Sequence, residues 1–106
     1  MITKKTYKNI RSLKDKKIRH TQKRFTLEGI RTIQTVLDEN VPIECVLFTK
    51  EFHSKHSEFI KQINDKILFE VSDKEMKDLS NKITPSGVLA VAHFPNYNKI
   101  DLTKNL

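Results

Sequence analysis

Residues 24–33 read RFTLEGIRTI, a short alternation of apolar and polar side chains that passes through a glycine into a helical pattern. Gly29 in this stretch is one of only two glycines among 106 residues, and the second, Gly87, lies in TPSGVLAV at residues 84–91. Glycine tolerates positive φ, so a chain that uses it so rarely is expected to place it where the backbone turns sharply. Both glycines border an apolar run, which predicts two tight corners next to strands.

Strands and helices alternate on either side of this stretch. Apolar residues recur at helical spacing in four segments, and four short runs have the length and apolar content of strands. The predicted helices cover residues 7–24, with a break near Lys16, then about 29–40, 52–63 and 72–79, and the predicted strands cover 25–28, 45–48, 67–71 and 88–92. Strands that alternate with helices are typical of a parallel sheet. The sequence therefore predicts an α/β fold, a three-layer α/β/α sandwich with a mostly parallel four-stranded sheet, preceded by a basic N-terminal helix.

Positive charge is concentrated at the N-terminus. Residues 1–31 contain eleven Lys and Arg against two acidic residues, a net charge of +9, whereas the remaining 75 residues contain nine basic and eleven acidic residues, a net charge of −2. A basic end on a nearly neutral body is typical of a protein that binds a polyanion such as nucleic acid. A lysine-rich terminus that contacts only solvent would have the same composition, so charge alone leaves both interpretations open.

Composition favours a soluble protein of one domain. A length of 106 residues is close to the commonest domain size. No apolar run approaches the ~18 residues that a membrane span needs, and no apolar segment of a secretory signal follows the N-terminal lysines. Cys45 is the only cysteine, which excludes an internal disulfide and suits a reducing compartment. These features predict a cytoplasmic protein with no membrane partner.

The sequence contains no recognisable catalytic, nucleotide-binding or metal-binding motif. Two glycines cannot form the glycine-rich turn that cradles a nucleotide phosphate. One Cys and four His do not make up a zinc site, and His53 and His56 have no third ligand at a suitable spacing. No nucleophile with a neighbouring base can be identified from spacing. The sequence therefore predicts no catalytic, cofactor-binding or metal-binding residue in this chain.

Ten polar residues are candidates for contact with nucleic acid. Lysines attract phosphates, and arginines suit close recognition because a guanidinium can fork onto a phosphate or stack on a base. Glu28 either accepts from free backbone N–H groups at the start of the next helix, or orients a neighbouring arginine or accepts from a nucleotide. Hydroxyls at the second corner either complete the turn or contact the ligand. The candidates are Lys8, Lys16, Lys17, Arg19, Lys23, Arg24, Glu28, Arg31, Thr84 and Ser86.

The segments around the two glycines resemble one protein family. Residues 10–37 read IRSLKDKKIRHTQKRFTLEGIRTIQTVL and are similar to the opening of SpoU-class (TrmH-like) RNA 2′-O-ribose methyltransferases. Residues 71–91 read VSDKEMKDLSNKITPSGVLAV and are similar to the second signature of that family. The matching positions are Ile10, Leu13, Lys17, Arg19, Phe25, Glu28, Gly29 and Arg31, then Val71, Ser72, Leu79, Ser80, Thr84, Pro85, Gly87, Ala90 and Val91.

The resemblance implies a division of labour between two domains. In this family an N-terminal substrate-binding domain, with a fold similar to kink-turn-binding ribosomal proteins, precedes a knotted domain that binds S-adenosylmethionine and transfers the methyl group. Motifs of the knotted domain have no counterpart here, which implies an RNA substrate-binding domain at residues 1–94 and the start of a linker to the catalytic domain at residues 95–106. The chain itself then binds no cofactor, and S-adenosylmethionine belongs to the catalytic domain.

The same resemblance implies the partners. RNA is the expected ligand, with ribosomal RNA favoured over transfer RNA, and the second partner is the chain's own catalytic domain in a homodimeric full-length protein. Two other functions stay open from the residues alone. One is a stand-alone structural RNA-binding protein of the kink-turn-binding ribosomal type. The other is a protein–protein interaction module, which would expose an apolar patch of a few hundred Å².

Overall fold

Four strands and six α-helices make up the part of the chain that the structure, a computed structural model, describes: residues 2–94. They are α1 (Lys4–Ser12), α2 (Lys16–Gln22), β1 (Arg24–Glu28), α3 (Ile30–Asp38), β2 (Ile43–Phe48), α4 (Lys50–Lys55), α5 (Ser57–Lys61), β3 (Leu68–Glu70), α6 (Asp73–Leu79) and β4 (Val88–His93), with a 3-10 turn at Asp65–Ile67. Within residues 2–94, no helix has the length and apolar character that a membrane crossing requires. The predicted linker at residues 95–106 lies outside the described residues.

The sheet is mixed, and its strand order is β1-β4-β2-β3. The first three strands run in the same direction, but β4 runs the opposite way and lies between β1 and β2. Two of the three neighbouring strand pairs are therefore antiparallel, and the prediction of a mostly parallel sheet is wrong. The α/β class and the order of strands and helices along the chain are confirmed.

The direction of β4 follows from the position of α6. This helix begins just after the carboxyl end of β3, where Val71 donates its N–H to the carbonyl of Phe48. Directly after the helix, Ser80 contacts Glu28 at the carboxyl end of β1. Seven helical residues span only about 10 Å, and here they run along one edge of the sheet without returning the chain to the opposite edge. The chain therefore enters β4 beside the carboxyl ends of the other strands and must run antiparallel to them.

Apolar side chains cover both faces of the sheet. On one face α3, α4 and α5 contribute Ile33, Phe52 and Ile60 to a buried cluster. On the other face α1 and α6 contribute Ile10 and Met76 to a second cluster, and α2 packs beside it. The three predicted layers are present, and the basic N-terminal helices belong to one of them.

Two predicted helices are each divided into two. Asp15 begins α2 because its carboxylate accepts the backbone N–H groups of Lys17 and Ile18, which places the break next to the predicted one. His56 separates α4 from α5, so the prediction of one helix over residues 52–63 is wrong. Its φ of −133° lies outside the helical range, although its N–H still donates to the carbonyl of Phe52.

Candidate nucleic-acid interface

The carboxyl ends of β1, β2 and β3, together with the loop at residues 80–87, form one edge of the domain, which we call the carboxyl edge. Glu28, the last residue of β1, is only 9% exposed. One carboxylate oxygen accepts the hydroxyl of Ser80 at 2.7 Å, and the other accepts the backbone N–H of Asn81 at 2.8 Å. The carboxylate therefore binds a loop that is distant in sequence, and it holds that loop against β1.

Both glycines lie at the carboxyl edge and both have positive φ, as the sequence predicts: +93° at Gly29 and +90° at Gly87. Gly29 donates its N–H to the carbonyl of Val88 at 3.2 Å, and Thr49 donates its N–H to the carbonyl of Gly87 at 3.1 Å. The two corners are therefore adjacent in space, on a backbone that is hydrogen-bonded to both β1 and β2.

Four polar side chains point away from the core at this edge. Arg31 and Thr84 are exposed, and neither side chain forms a hydrogen bond or ion pair with another described residue. Ser86 is exposed and donates its hydroxyl to the carbonyl of Val88 at 3.1 Å. Lys82 joins them, since its Nζ lies 3.8 Å from the position that a Cβ on Gly29 would occupy. Sequence reasoning missed Lys82 because its approach to the first corner depends entirely on the fold.

A second group of candidates lies on the two N-terminal helices. The exposed members are Lys8, Lys16, Lys17 and Lys23. A groove of about 480 Å³ separates α1 from α2, and its walls include Lys8, Arg11 and Lys14. Arg11 also forms an ion pair with Asp78 of α6 at 3.1 Å. Positive charge is therefore dense on this surface, as the charge distribution of the sequence predicts.

Two of the candidate arginines are engaged within the protein. Arg19 donates from one guanidinium nitrogen to the carbonyls of Leu13 and Lys14 at 3.0 and 2.9 Å, which caps the end of α1. Arg24 forms a two-point ion pair with Glu44 at 2.5 and 3.1 Å, and its side chain is 12% exposed. Both guanidinium groups hold the N-terminal helices or their connection to the sheet, so neither is free to fork onto a phosphate in this conformation.

The seven exposed candidates therefore lie on two surfaces, with Lys8, Lys16, Lys17 and Lys23 on one and Arg31, Thr84 and Ser86 on the other. Lys23 and Arg24 lie at the amino end of β1, whereas Glu28 and Arg31 lie at its carboxyl end or just beyond. A five-residue strand separates its end residues by roughly 13 Å. An RNA that contacts both surfaces must extend along the domain.

A pocket of about 440 Å³ opens at the carboxyl edge between α4 and α6, and residues 85–87 form its third wall. Lys55, His56 and Lys77 line this pocket, and none of them is predicted as a site residue from the sequence. His53 and His56 each pack on a phenylalanine ring, His53 on Phe48 and His56 on Phe52. Among residues 2–94 no group of three His, Cys, Asp or Glu side chains is placed to hold a metal ion.

Cys45 offers no chemistry at neutral pH. Its side chain is buried in the second cluster, and this burial raises the pKa of the thiol to about 12. A thiol with such a pKa is neutral and a poor nucleophile, so it acts as a small apolar side chain.

Solved structures share this fold. An RNA 2′-O-ribose methyltransferase is 27% identical over 89% of the chain, with a TM-score of 0.77. A putative TrmH-family RNA methyltransferase of Porphyromonas gingivalis is 21% identical over 91% of the chain, with a TM-score of 0.70, and the SpoU methyltransferase AviRb of Streptomyces viridochromogenes is 17% identical over 93%, with a TM-score of 0.73. At those identities the latter two establish likeness of fold only. The chain spans about a third of each structure: 36, 37 and 35% of their lengths.

Sequence comparison assigns the family. No curated protein is significantly similar to the chain. A family model described as the MRM3-like substrate binding domain matches residues 4–90, which is most of the chain and includes both glycine corners. The resemblance read from residues 10–37 and 71–91 is thereby confirmed. This chain belongs to the MRM3-like substrate binding domain family, the N-terminal substrate-binding domain of SpoU-class (TrmH-like) RNA methyltransferases.

Proposed function

We propose that this domain binds substrate RNA and orients it for 2′-O-ribose methylation by a catalytic domain of the same protein. The observation that carries the proposal is the meeting of the two corners at the carboxyl edge. Arg31 comes from the first corner and Lys82, Thr84 and Ser86 come from the second, and all stand on backbone fixed by Glu28 and by the hydrogen bond from Gly29 to Val88.

The two surfaces contribute differently to binding. Exposed lysines on α1 and α2 attract the phosphate backbone of any RNA, an interaction that salt weakens. The carboxyl edge selects for shape, because folded RNA is recognised largely through its exposed loops and 2′-hydroxyls. Binding at both surfaces fixes the direction of the RNA along the domain. Such fixation lowers the barrier of a reaction at a neighbouring site by holding the target ribose in place.

The catalytic step belongs to a part of the protein outside the described residues. We propose that residues 1–94 form the RNA-binding unit and that residues 95–106 lead into a knotted domain that binds S-adenosylmethionine and forms a homodimer. The support is that the chain spans 36% of the 2′-O-ribose methyltransferase that it resembles. Two of the structural relatives are named as bound to AdoMet, the same cofactor.

Ribosomal RNA in the cytoplasm is the proposed substrate. One structural relative, from Sinorhizobium meliloti, is named an rRNA methyltransferase, which makes ribosomal RNA the first substrate to test and transfer RNA the second. Against a protein–protein module, Ile83 is the single large apolar side chain that is exposed among residues 2–94, and it is 100% exposed on the loop at the carboxyl edge. One side chain does not make the apolar patch that such a module requires.

Binding measurements test the proposal directly. The chain is titrated into fluorescent fragments of ribosomal RNA and into transfer RNA across a series of salt concentrations. If about four phosphates are neutralised, the logarithm of the binding constant falls against the logarithm of salt with a slope of roughly −3 to −4. Affinity that does not change with salt contradicts the electrostatic part of the proposal, and absence of affinity for every RNA contradicts all of it.

A second measurement separates this proposal from a stand-alone RNA-binding protein. The gene region after the codon for Leu106 is read, and the full-length protein is incubated with RNA and labelled S-adenosylmethionine. The methyltransferase proposal expects an in-frame knotted domain and label at a ribose 2′-oxygen. High affinity for one internal-loop RNA without any downstream domain supports the alternative.

A further inference from the structure

The pocket at the carboxyl edge has an apolar floor. Phe52 of α4 and Met76 of α6 line it from opposite sides and are 5% and 1% exposed, and Pro85 completes the apolar lining. Its volume of about 440 Å³ is within the range of ~300–1,000 Å³ that small-molecule sites occupy. A pocket of this size with an apolar floor and a polar rim can accept a flat ring from a ligand.

Gly87 shapes this pocket. A Cβ at this position would lie 3.1 Å from the Cβ of Phe52 and 3.3 Å from the hydroxyl of Thr49, closer than ordinary contact. The absence of a side chain lets residues 85–87 approach α4, and the φ of +90° directs the chain from the pocket wall into β4. The pocket is therefore a product of the second glycine corner, which belongs to the proposed RNA surface.

The mouth of the pocket offers an aromatic ring and polar groups. The imidazole of His56 is exposed and packs on the ring of Phe52, with the ring centroids 4.7 Å apart and an angle of 32° between planes. Lys77 is exposed, and its ammonium forms no ion pair with another described residue. Asp73 and Ser86 supply an acceptor and a hydroxyl. Unstacked RNA bases are held by this combination: an aromatic face, an apolar floor, polar groups for the base edge and a cation for the adjoining phosphate.

We propose that this pocket binds a single unstacked base of the RNA that the carboxyl edge holds. The inference rests on the proposed function, since a pocket in the second glycine corner can take a base only from an RNA bound at that edge. The base enters between Phe52 and Met76, with the ring of His56 against it at the mouth. Lys77 contacts the phosphate beside the extruded nucleotide.

The probes are short RNA hairpins that each carry one bulged nucleotide, A, C, G or U, and a matched hairpin with an abasic residue at the bulge. The abasic hairpin keeps the same phosphates and riboses and lacks only the base. We expect the chain to bind at least one of the bulged hairpins about fivefold or more tightly than the abasic one, the lower end of the effect of one base–aromatic contact.

Two pairs of variants locate the contact. His56→Ala removes the ring at the pocket and should abolish the preference over the abasic hairpin, whereas His53→Ala removes a ring that packs on Phe48, away from the pocket, and should preserve it. His56 forms no side-chain hydrogen bond at the start of α5, so its replacement removes no hydrogen bond from that helix start. Lys77→Ala should weaken binding of bulged and abasic hairpins equally, and Lys74→Ala on the same helix should weaken neither.

The outcomes distinguish this inference from the proposed function. Equal affinity of the unmodified chain for all the bulged hairpins and the abasic hairpin overturns the base pocket and leaves RNA binding in place. A preference that survives His56→Ala as well as it survives His53→Ala also overturns it. If the chain binds no hairpin and no ribosomal or transfer RNA, both the inference and the proposed function are wrong.

Discussion

The carboxylate of Glu28 and the hydroxyl of Ser80 lie 2.7 Å apart, and both residues are buried. This hydrogen bond joins the last residue of β1 to the residue that follows α6. It fixes the start of the loop at residues 80–87, which carries Lys82, Thr84 and Ser86 into the proposed interface. Glu28, which follows a cation-rich stretch in the sequence, therefore acts by positioning a loop at the carboxyl edge.

Removal of the Glu28 carboxylate should destabilise the fold. Glu28→Ala leaves Ser80 and the N–H of Asn81 without their acceptor, and hydrogen bonds to charged groups each contribute roughly 1.5–3 kcal/mol. We expect the free energy of unfolding in urea to fall by about 2 kcal/mol or more. Glu39→Ala, an exposed glutamate after α3, should change it by less than about 0.5 kcal/mol. Equal effects of the two substitutions would show that the Glu28 contacts contribute nothing.

The arginines should separate into structural and RNA-contacting residues. Arg19→Ala removes the donor to two carbonyls at the end of α1 and should lower the free energy of unfolding by about 1–2 kcal/mol. Arg31→Ala removes an exposed guanidinium at the carboxyl edge and should leave stability within about 0.5 kcal/mol, while RNA affinity falls. Thermal unfolding and RNA titration of both variants check this. If instead Arg19→Ala lowers RNA affinity and Arg31→Ala lowers stability, Arg19 contacts the RNA and Arg31 has a structural role.

The lysines of α2 should account for part of the salt dependence. Lys16→Ala with Lys17→Ala removes two exposed charges from the N-terminal surface, so the salt slope of RNA binding should become shallower by about 2. Lys61→Ala with Lys66→Ala removes the same charge from a region remote from both surfaces. That control should leave the slope unchanged, and an equal change in both double variants would indicate attraction by net charge alone.

The two glycines should respond differently to alanine. Both substitutions force a side chain into positive φ, which costs of the order of 1–3 kcal/mol. Only Gly87→Ala brings a Cβ within 3.1 Å of Phe52, whereas the nearest atom at Gly29 is the flexible Nζ of Lys82 at 3.8 Å. NMR shifts of Phe52 and Thr49 should therefore move in Gly87→Ala and stay in Gly29→Ala. Unchanged shifts in both would mean that the pocket wall does not touch α4 closely.

Cys45 should make stability depend on alkaline pH. Burial raises the pKa of the folded thiol from 9.0 to about 12, so the unfolded thiol ionises first as the pH rises. The stabilisation from this difference is complete below pH 9 and is lost progressively between about pH 9 and 12. Urea unfolding at pH 8 and pH 10.5 should show a larger loss for the unmodified chain than for Cys45→Ala. An equal loss of stability in both proteins would show that titratable groups other than Cys45 cause it.

Local patterns predicted most of the elements, because each depends on neighbouring residues. Ser72 and Glu75, three residues apart, form a capping box at the start of α6, and both glycines adopt the positive φ that the sequence predicts. The break between α4 and α5 was not predicted because Phe52 of α4 and Phe59 of α5 both pack in the same core cluster. Their spacing in the sequence therefore resembles that of a single continuous helix.

Contacts between distant segments account for the features that local patterns did not predict. The direction of β4 is set by where α6 ends, and nothing in residues 88–93 distinguishes a parallel from an antiparallel strand. Arg24 and Arg19 match the expected chemistry of phosphate binding, yet the fold supplies Glu44 and two carbonyls as their partners. Lys82 lies close to the first glycine corner because the carboxylate of Glu28 holds its loop against β1.

Because β4 lies between β1 and β2, a ribosome synthesises one of the two inner strands of the sheet after the three others. Until residues 88–93 leave the exit tunnel, β1 and β2 have no neighbour on their facing sides, and their main-chain groups there are available to other polypeptides. Nascent chains of this domain must therefore wait for their final strand, and the interval before it arrives is the period in which they are most vulnerable to aggregation.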